Sequence, residues 1–204
     1  NALMKRVGDF YAGAMDSLAI ESLGYKPIKP YLNAVHALSS KAELLKYMNY
    51  LRSQSVSSPL YRIGVGQDAK DVTKYIINIG QGGTTLPDRD YYLKDDDRSR
   101  KIRMDYTQYI IKLFTLCDET QVKAMSNAVI VMQLETALAQ AQLSRVEMRD
   151  PTKMYNKFSV DGLSTTTANL DWQNILTQLG YKTKPDSLLV SNPKSMVFID
   201  SLLG

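Results

Sequence analysis

The only histidine in this chain is His36 and the only cysteine is Cys117. Few side chains are therefore available to hold a metal or attack a substrate. A catalytic zinc takes three protein ligands and leaves a fourth position open for water. Its usual helical form sets two histidines one turn apart, with a glutamate that activates the water. No His-Glu-x-x-His occurs here, and His36 reads as an exposed or half-buried helical residue. One histidine would suffice for a Ser/His/Asp triad, but no spacing brings a serine to it. Cys117 falls on the apolar face of a predicted helix, the setting of a buried and inert thiol. A lone cysteine also excludes an internal disulfide. Asp95-Asp96-Asp97 invites a calcium reading, but the twelve-residue loop needs glycine at its sixth place and glutamate at its twelfth. Those places hold Arg100 and Tyr106. Three carboxylates there suit the positive end of a helix dipole instead. Gly80-Gln81-Gly82-Gly83 leads to Pro87, not to a helix carrying Lys-Ser/Thr, so it is no phosphate loop.

What remains is charge in costly places. Glu135 lies on the apolar side of the longest predicted helix, and a buried carboxylate must be paired and hydrogen-bonded. Arg89, Arg145 and Arg149 are the partners on offer. We read Asp88, Arg89, Asp90, Glu135, Arg149 and Asp150 as candidates for a structural ion-pair network, with Glu135 bonded to Arg149 or Arg89. A catalytic acid at Glu135 would lack a second catalytic group. The network would tie the long helix to a corner at Gln81–Leu93, Gln-Gly-Gly-Thr-Thr-Leu-Pro-Asp-Arg-Asp-Tyr-Tyr-Leu. Two glycines there permit unusual backbone angles, and Pro87 restricts itself and Leu86.

The elements that must position these residues are mainly helical. Helices are predicted over 2–23 with Gly24 as the stop, over 31–38, and from Ser40, whose Ser-x-x-Glu is a capping box. Alternation at Tyr61, Ile63, Val65 and at Tyr75, Ile77, Ile79 predicts a β-hairpin between about 60 and 79, linked by a turn over 66–71. Before the corner the chain reads as extended; after it, helical. Helices are predicted from Asp95-Asp96-Asp97 to about Cys117 and from about Glu119 to Leu143, with Pro151 ending the next segment. Shorter ones follow at 160–168, 172–179 and 193–203. The long helix carries two apolar stripes, too wide for a surface helix, so it is expected to be central. Phe10, Tyr106, Ile110, Met125, Val129, Met132 and Trp172 are the expected core.

At 204 residues the chain fits one domain or a large piece of one, and 44% hydrophobic content supports a sizeable core. The net charge is +4, and the densest charged run, 94–103, mixes both signs. That describes a solvated surface more than a nucleic-acid footprint. No apolar run approaches the roughly 18 residues of a membrane span. The chain opens mid-pattern with no visible signal peptide, as a segment cut from a longer chain would.

Four segments in order resemble one family. Phe10-Tyr11-Ala12-Gly13-Ala14-Met15-Asp16, with Ile20-Glu21 and Gly24-x-x-Pro27, resembles its first helix and turn. The stretch Gly82-Gly83-x-x-Leu86-Pro87-Asp88-Arg89-Asp90-Tyr91-Tyr92 resembles its corner loop. Leu134-Glu135-x-x-Leu138-Ala139, then Arg149-Asp150 and Tyr155-Asn156, resembles its long middle helix and exit. Leu170-Asp171-Trp172 resembles its next helix start. The family is the neprilysin-like zinc metallopeptidases, M13. The resemblance implies a single incomplete segment, 1–204, of a mostly helical cover domain that encloses the active-site cavity of a zinc metalloendopeptidase and restricts access to it. It places the zinc and the catalytic residues in a separate C-terminal domain, so no catalytic, metal or substrate-binding residue is assigned on this chain. Its implied partners are that domain and peptide substrates, with no nucleic acid and no membrane span in this segment. A cell-envelope location, periplasmic or extracellular, is implied as well. Ala14 stands where animal members carry cysteine, which agrees with a bacterial relative. Thr84-Thr85 replaces the usual pair before Leu86. A stand-alone helical scaffold or binding protein of the cell envelope is the second reading. A reading frame continuing to a His-Glu-x-x-His separates the two.

Overall fold

The structure is a computed structural model that describes residues 2–56 and 59–204. The chain divides into two compact units, Asn1–Ser39 and Ser40–Gly204. The first holds α1 (Ala2–Met15), α2 (Ser17–Leu23), a 3-10 turn and α3 (Lys29–His36). The single helix expected over 2–23 is broken at Asp16, whose carboxylate caps α2 through the Ala19 N–H at 3.0 Å. Gly24 ends α2 at φ 54°. None of these helices contains a buried residue, and Phe10, expected in the core, is 81% exposed. A unit this short buries too little surface to make a core of its own.

The second unit carries α4 (Lys41–Ser53), β1 (Tyr61–Asp68), β2 (Asp71–Gln81), α5 (Asp90–Leu93), α6 (Asp97–Leu116) and α7 (Gln121–Ala141). Then come α8 (Pro151–Met154), β3 (Asn156–Phe158), α9 (Val160–Thr166), α10 (Trp172–Gln178), β4 (Leu188–Val190) and α11 (Pro193–Leu203). Local chemistry sets the helix starts. Ser40 accepts from the Glu43 N–H, Asp96 from Ser99 and Thr120 from Lys123. Each oxygen satisfies one of the amide groups that a helix N-terminus leaves open. Pro151 opens α8 rather than ending the preceding segment, since a first helical position needs no N–H. Cys117 caps α6 and is only half-buried; Asp118 beside it turns the chain at φ 65°.

The expected hairpin is present, and its strands run longer than the alternation indicated. Tyr61 pairs with Gln81, Ile63 with Ile79 and Val65 with Ile77, and the turn shrinks to Ala69-Lys70. Two short strands join it, giving the order β1-β2-β4-β3 with β2 and β4 parallel. Both were missed in the sequence, being three residues each. That is too short for a period to register, and β4 is buried throughout, as an interior strand with no polar face must be. The main core lies against this sheet. Trp172 and Tyr61 are fully buried and meet edge-to-face at 5.3 Å between centroids. The Trp172 indole N–H is satisfied by Thr167 Oγ1 at 2.8 Å.

The buried stripe of α7 is the one with small residues. Ala124, Ala128, Leu138 and Ala139 are inside with Glu135, and Ile110 and Ile111 of α6 pack against Ala124 and Ala128. Met125 and Val129, expected in the core, are each 51% exposed, while Met132 and Tyr106 are half-buried. Alanine lets two helix backbones approach closely; methionine and valine on that face would hold them apart.

Asp68 pins the hairpin tip to β3. It is 1% exposed and accepts from the Lys70 N–H at 3.0 Å, Tyr155 Oη at 2.8 Å and Lys157 Nζ at 3.0 Å. These bonds, the Lys70 amide first, lower its pKa to about 2.

Two outcomes follow from this packing. In urea denaturation of this chain, Leu138→Ala is expected to cost ~2–5 kcal/mol, and Met125→Ala to stay within roughly 0.5 kcal/mol of the parent. Equal losses would put both stripes inside. Asp68 titrates lower folded than unfolded, so its stabilisation is complete above the ordinary aspartate value of about 3.9. It is lost as pH falls from there to about 2. The urea midpoint should therefore drop over that window in the parent and drop less in Asp68→Asn.

Candidate functional site

Glu135 is the centre of the most connected polar cluster on the corner. It projects from the buried side of α7 and is 8% exposed. Tyr92 Oη donates to its Oε2 at 2.5 Å, Thr85 Oγ1 to its Oε1 at 2.8 Å and Tyr106 Oη to its Oε1 at 3.0 Å. The Thr85 amide adds a longer bond at 3.4 Å. Tyr92 in turn accepts from the Leu86 N–H at 2.8 Å. The expectation of an arginine partner is corrected here: among the described residues no Arg or Lys pairs with Glu135. Hydroxyls supply the donors without bringing in a second charge that would itself need desolvating. Burial first, then the carboxylate, pushes Tyr106 up to about 12, and the same causes raise Tyr92 well above the ordinary tyrosine value. Both therefore stay protonated and donating at neutral pH.

The other candidates sit around this cluster without entering it. Asp88 pairs with Arg145 Nε at 3.0 Å and accepts from the Asp90 N–H. Asp90 pairs with Lys94 at 2.7 Å on the surface. Arg89 Nη1 donates to the Gln142 carbonyl at 2.5 Å. That is favourable beside the negative end of α7. Arg149 is exposed and, among the described residues, makes no ion pair. Asp150 caps α8 through Thr152. Corner and helix are thus joined, but chiefly by hydroxyls and amides.

Those amides carry no charge pattern to reveal them in a sequence. Gln81 donates to the Leu143 carbonyl at 3.0 Å and accepts from the Leu143 N–H at 2.8 Å, as a neighbouring strand would. Asn192 donates to Gln81 Oε1 and to the Ala141 carbonyl. Gln142 donates to the Gly82 carbonyl at 2.9 Å. Asn192 thus covers a carbonyl that the last turn of α7 leaves open, and Gln81 and Gln142 tie the chain just beyond α7 to the corner. Gly83 fixes the bend at φ +85°, where a Cβ would meet Leu60 backbone at 2.9 Å and Leu138 Cδ1 at 2.8 Å. The one signal legible in advance was that a carboxylate on an apolar helix face must find donors, and Thr85 and Tyr92 stood in the corner.

The hydroxyls of Thr85, Tyr92 and Tyr106 all donate to the one carboxylate. A groove of about 360 Å³ beside it is lined by Gly80, Gly82, Thr84, Pro87, Gln142 and Met154 among others. Its one ionisable lining residue is Arg62. His36 is exposed at the end of α3. Among the described residues no three of His, Cys, Asp and Glu are grouped to hold a metal. The side chains present do not fit a catalytic zinc.

Tyr92→Phe removes one donor from Glu135 and the acceptor of the Leu86 amide. It is expected to cost about 1–3 kcal/mol in urea denaturation, and Glu135→Ala more, since it strands donors from Thr85, Tyr92 and Tyr106. Because Tyr106 and Tyr92 titrate higher folded than unfolded, their stabilisation is complete below about 10 and is lost as pH rises above it, by about 12 for Tyr106 and at still higher pH for Tyr92. The alkaline fall in urea midpoint should be shallower in Tyr92→Phe.

The endothelin-converting enzyme homolog of Locusta migratoria is 31% identical over 195 residues, covering 86% of this chain and 26% of the relative. Endothelin-converting enzyme-like 1 of Rattus norvegicus is 27% identical over 192 residues, covering 87% and 24%. The chain thus spans about a quarter of the length of the curated relatives it matches. The crystal structure of Mycobacterium tuberculosis zinc metalloprotease Zmp1 in complex with inhibitor superposes with a TM-score of 0.86 at 29% identity. The match covers 97% of this chain and 30% of that one. The N-terminal model of peptidase family M13 matches residues 1–204. From end to end, the chain belongs to peptidase family M13.

Proposed function

We propose that these residues are part of the non-catalytic cover of a zinc-dependent metalloendopeptidase, restricting what reaches its active-site cavity. The single observation that carries this reading is the combination of a family match along all 204 residues with a span of only about a quarter of the relatives. The rigid corner supports it. Helix α7, the hairpin and the N-terminal cap of α11 are locked together by Glu135, Gln81 and Asn192, which suits a wall better than a reacting centre. On this reading the zinc and the groups that activate its water sit in a C-terminal catalytic domain of the same polypeptide, where the metal would polarise a peptide carbonyl. Small peptides are the substrates, and folded proteins are too large to enter. A bacterial cell-envelope enzyme, periplasmic or extracellular, is the setting proposed.

The test uses a fluorogenic peptide with the full-length protein and with the 204-residue segment. The full-length protein is expected to cleave it, and a zinc chelator to abolish cleavage. The segment is expected to bind no stoichiometric zinc by metal analysis and to leave the peptide intact. Chelator-sensitive turnover by the segment would overturn the assignment. A reading frame that ends without a zinc site would favour a scaffold role.

A further inference from the structure

Helix α7 carries only two charged residues in its whole length, Lys123 and Glu135. Lys123 pairs with Glu119, and Glu135 points inward with Ala124, Ala128, Leu138 and Ala139. The side of the helix opposite that buried stripe has no charge. At helical spacing it presents Val122, Val129, Ile130, Gln133, Thr136 and Ala137. Val122, Val129 and Ile130 are each more than half exposed. A surface helix ordinarily sets charged residues on its outer side. A chain with 25 basic and 21 acidic residues has them to spare, so their absence here needs a cause. Contiguous exposed apolar surface marks a contact site.

The order of sizes along this side identifies what meets it. Gln133 stands in the middle. Three residues before it is Ile130 and three after it Thr136; four before is Val129 and four after Ala137. Large residues thus lie on one side of Gln133, with small ones at the matching places on the other. The small half opens into a groove of about 400 Å³ between Thr107 of α6 and Thr136, Ala137 and Gln140 of α7, and no charged residue lines it. A second copy of the chain, turned about a two-fold axis through Gln133, lays α7 antiparallel on α7. In such an isologous contact residue i meets j while j meets i. Ile130 then faces Thr136 and Val129 faces Ala137, each twice, as knobs in holes. Seven residues out, Ser126 faces Gln140, a hydroxyl against an amide. On the axis Gln133 meets its own copy, and an amide, being both donor and acceptor, can bond to another of its kind. A charged residue there would meet a like charge, and none is present. Antiparallel helices also bring opposite dipole ends together. A partner of unrelated sequence would leave the matching of large to small about Gln133 without a role.

We propose that two copies of this protein pair through the outer side of α7, antiparallel, with Gln133 on the two-fold axis. The contact goes beyond the peptidase reading and does not depend on it.

Sedimentation velocity of the full-length protein over a range of concentrations tests the pairing. A monomer–dimer equilibrium is expected. Gln133→Glu and Gln133→Lys each set like charges face to face on the axis. Each is expected to raise the dimer dissociation constant about tenfold or more, since like charges juxtaposed across an interface repel. Gln133 is exposed, so neither change should move the urea midpoint of the monomer. An equimolar mixture of the two variants should dimerise again, because the mixed pair sets Glu against Lys. A protein that stays monomeric at every concentration would overturn the proposal. So would a dimer that both variants leave intact, or one that they abolish and the mixture does not restore. In Gln133→Cys the new thiol is expected to react with a maleimide in the dilute monomer and to be shielded in the dimer. Shielding at every concentration would put the rest of the polypeptide on this face and overturn the pairing. Association that appears only with added lipid vesicles would do the same.

Discussion

A carboxylate inside a protein must be given donors, and much of the second unit is arranged to give them to Glu135. The hydroxyls of Thr85, Tyr92 and Tyr106 come from the corner, α5 and α6, while the carboxylate comes from α7. One side chain therefore holds four segments in register. An arginine in the same place would have been a second ion to desolvate, and its pairing would have depended on one contact. Hydroxyls divide the task among residues that also pack. Tyr92 shows the economy best, since its ring is buried while its oxygen serves both Glu135 and the Leu86 amide.

The same helix illustrates how size decides orientation. Its composition is apolar nearly all round, so hydrophobicity alone did not say which side faces inward. The alanines did, by permitting close approach to Ile110 and Ile111 of α6. Val122, Met125, Val129 and Ile130 were left outward, at 80%, 51%, 51% and 58% exposure. A reading that ranks residues by hydrophobicity places the larger stripe inside, and here it is the smaller one.

What could be read from the residues were features whose cause is local. Ser40 and Asp96 cap helices because a side-chain oxygen next to open amides has few other uses, and Pro193 opens α11 for a like reason. The hairpin was legible because Ile63, Val65, Ile77 and Ile79 alternate on strands long enough to count. Glu135 was recognisable as a residue in need of partners. What could not be read were features settled by distant segments. Leu188–Val190 has no period of its own and becomes a strand because β2 and β3 flank it. Gln81, Gln142 and Asn192 are ordinary polar residues until the end of α7 arrives beside them. Phe10 looked like core because its helix is amphipathic, but that helix belongs to a unit with no buried residue among those described.

The parallel pairing of β2 with β4 has a consequence in time. Ile79 and its partner Val190 are separated by much of the chain. During synthesis at roughly 5–20 residues per second, the ribosome takes several seconds to pass from one to the other. Throughout that interval the hairpin exists with one side of β2 unmatched, and Ile77 and Ile79 have no sheet neighbour there. A bare, apolar strand edge is the kind of surface that pairs with other nascent chains. The Glu135 cluster closes earlier, once α7 has emerged, because all its donors precede it in the chain. The Glu135 bonds can thus form while the sheet still lacks β4 and the corner still lacks Asn192, and the seconds between are when a chaperone would have most to protect.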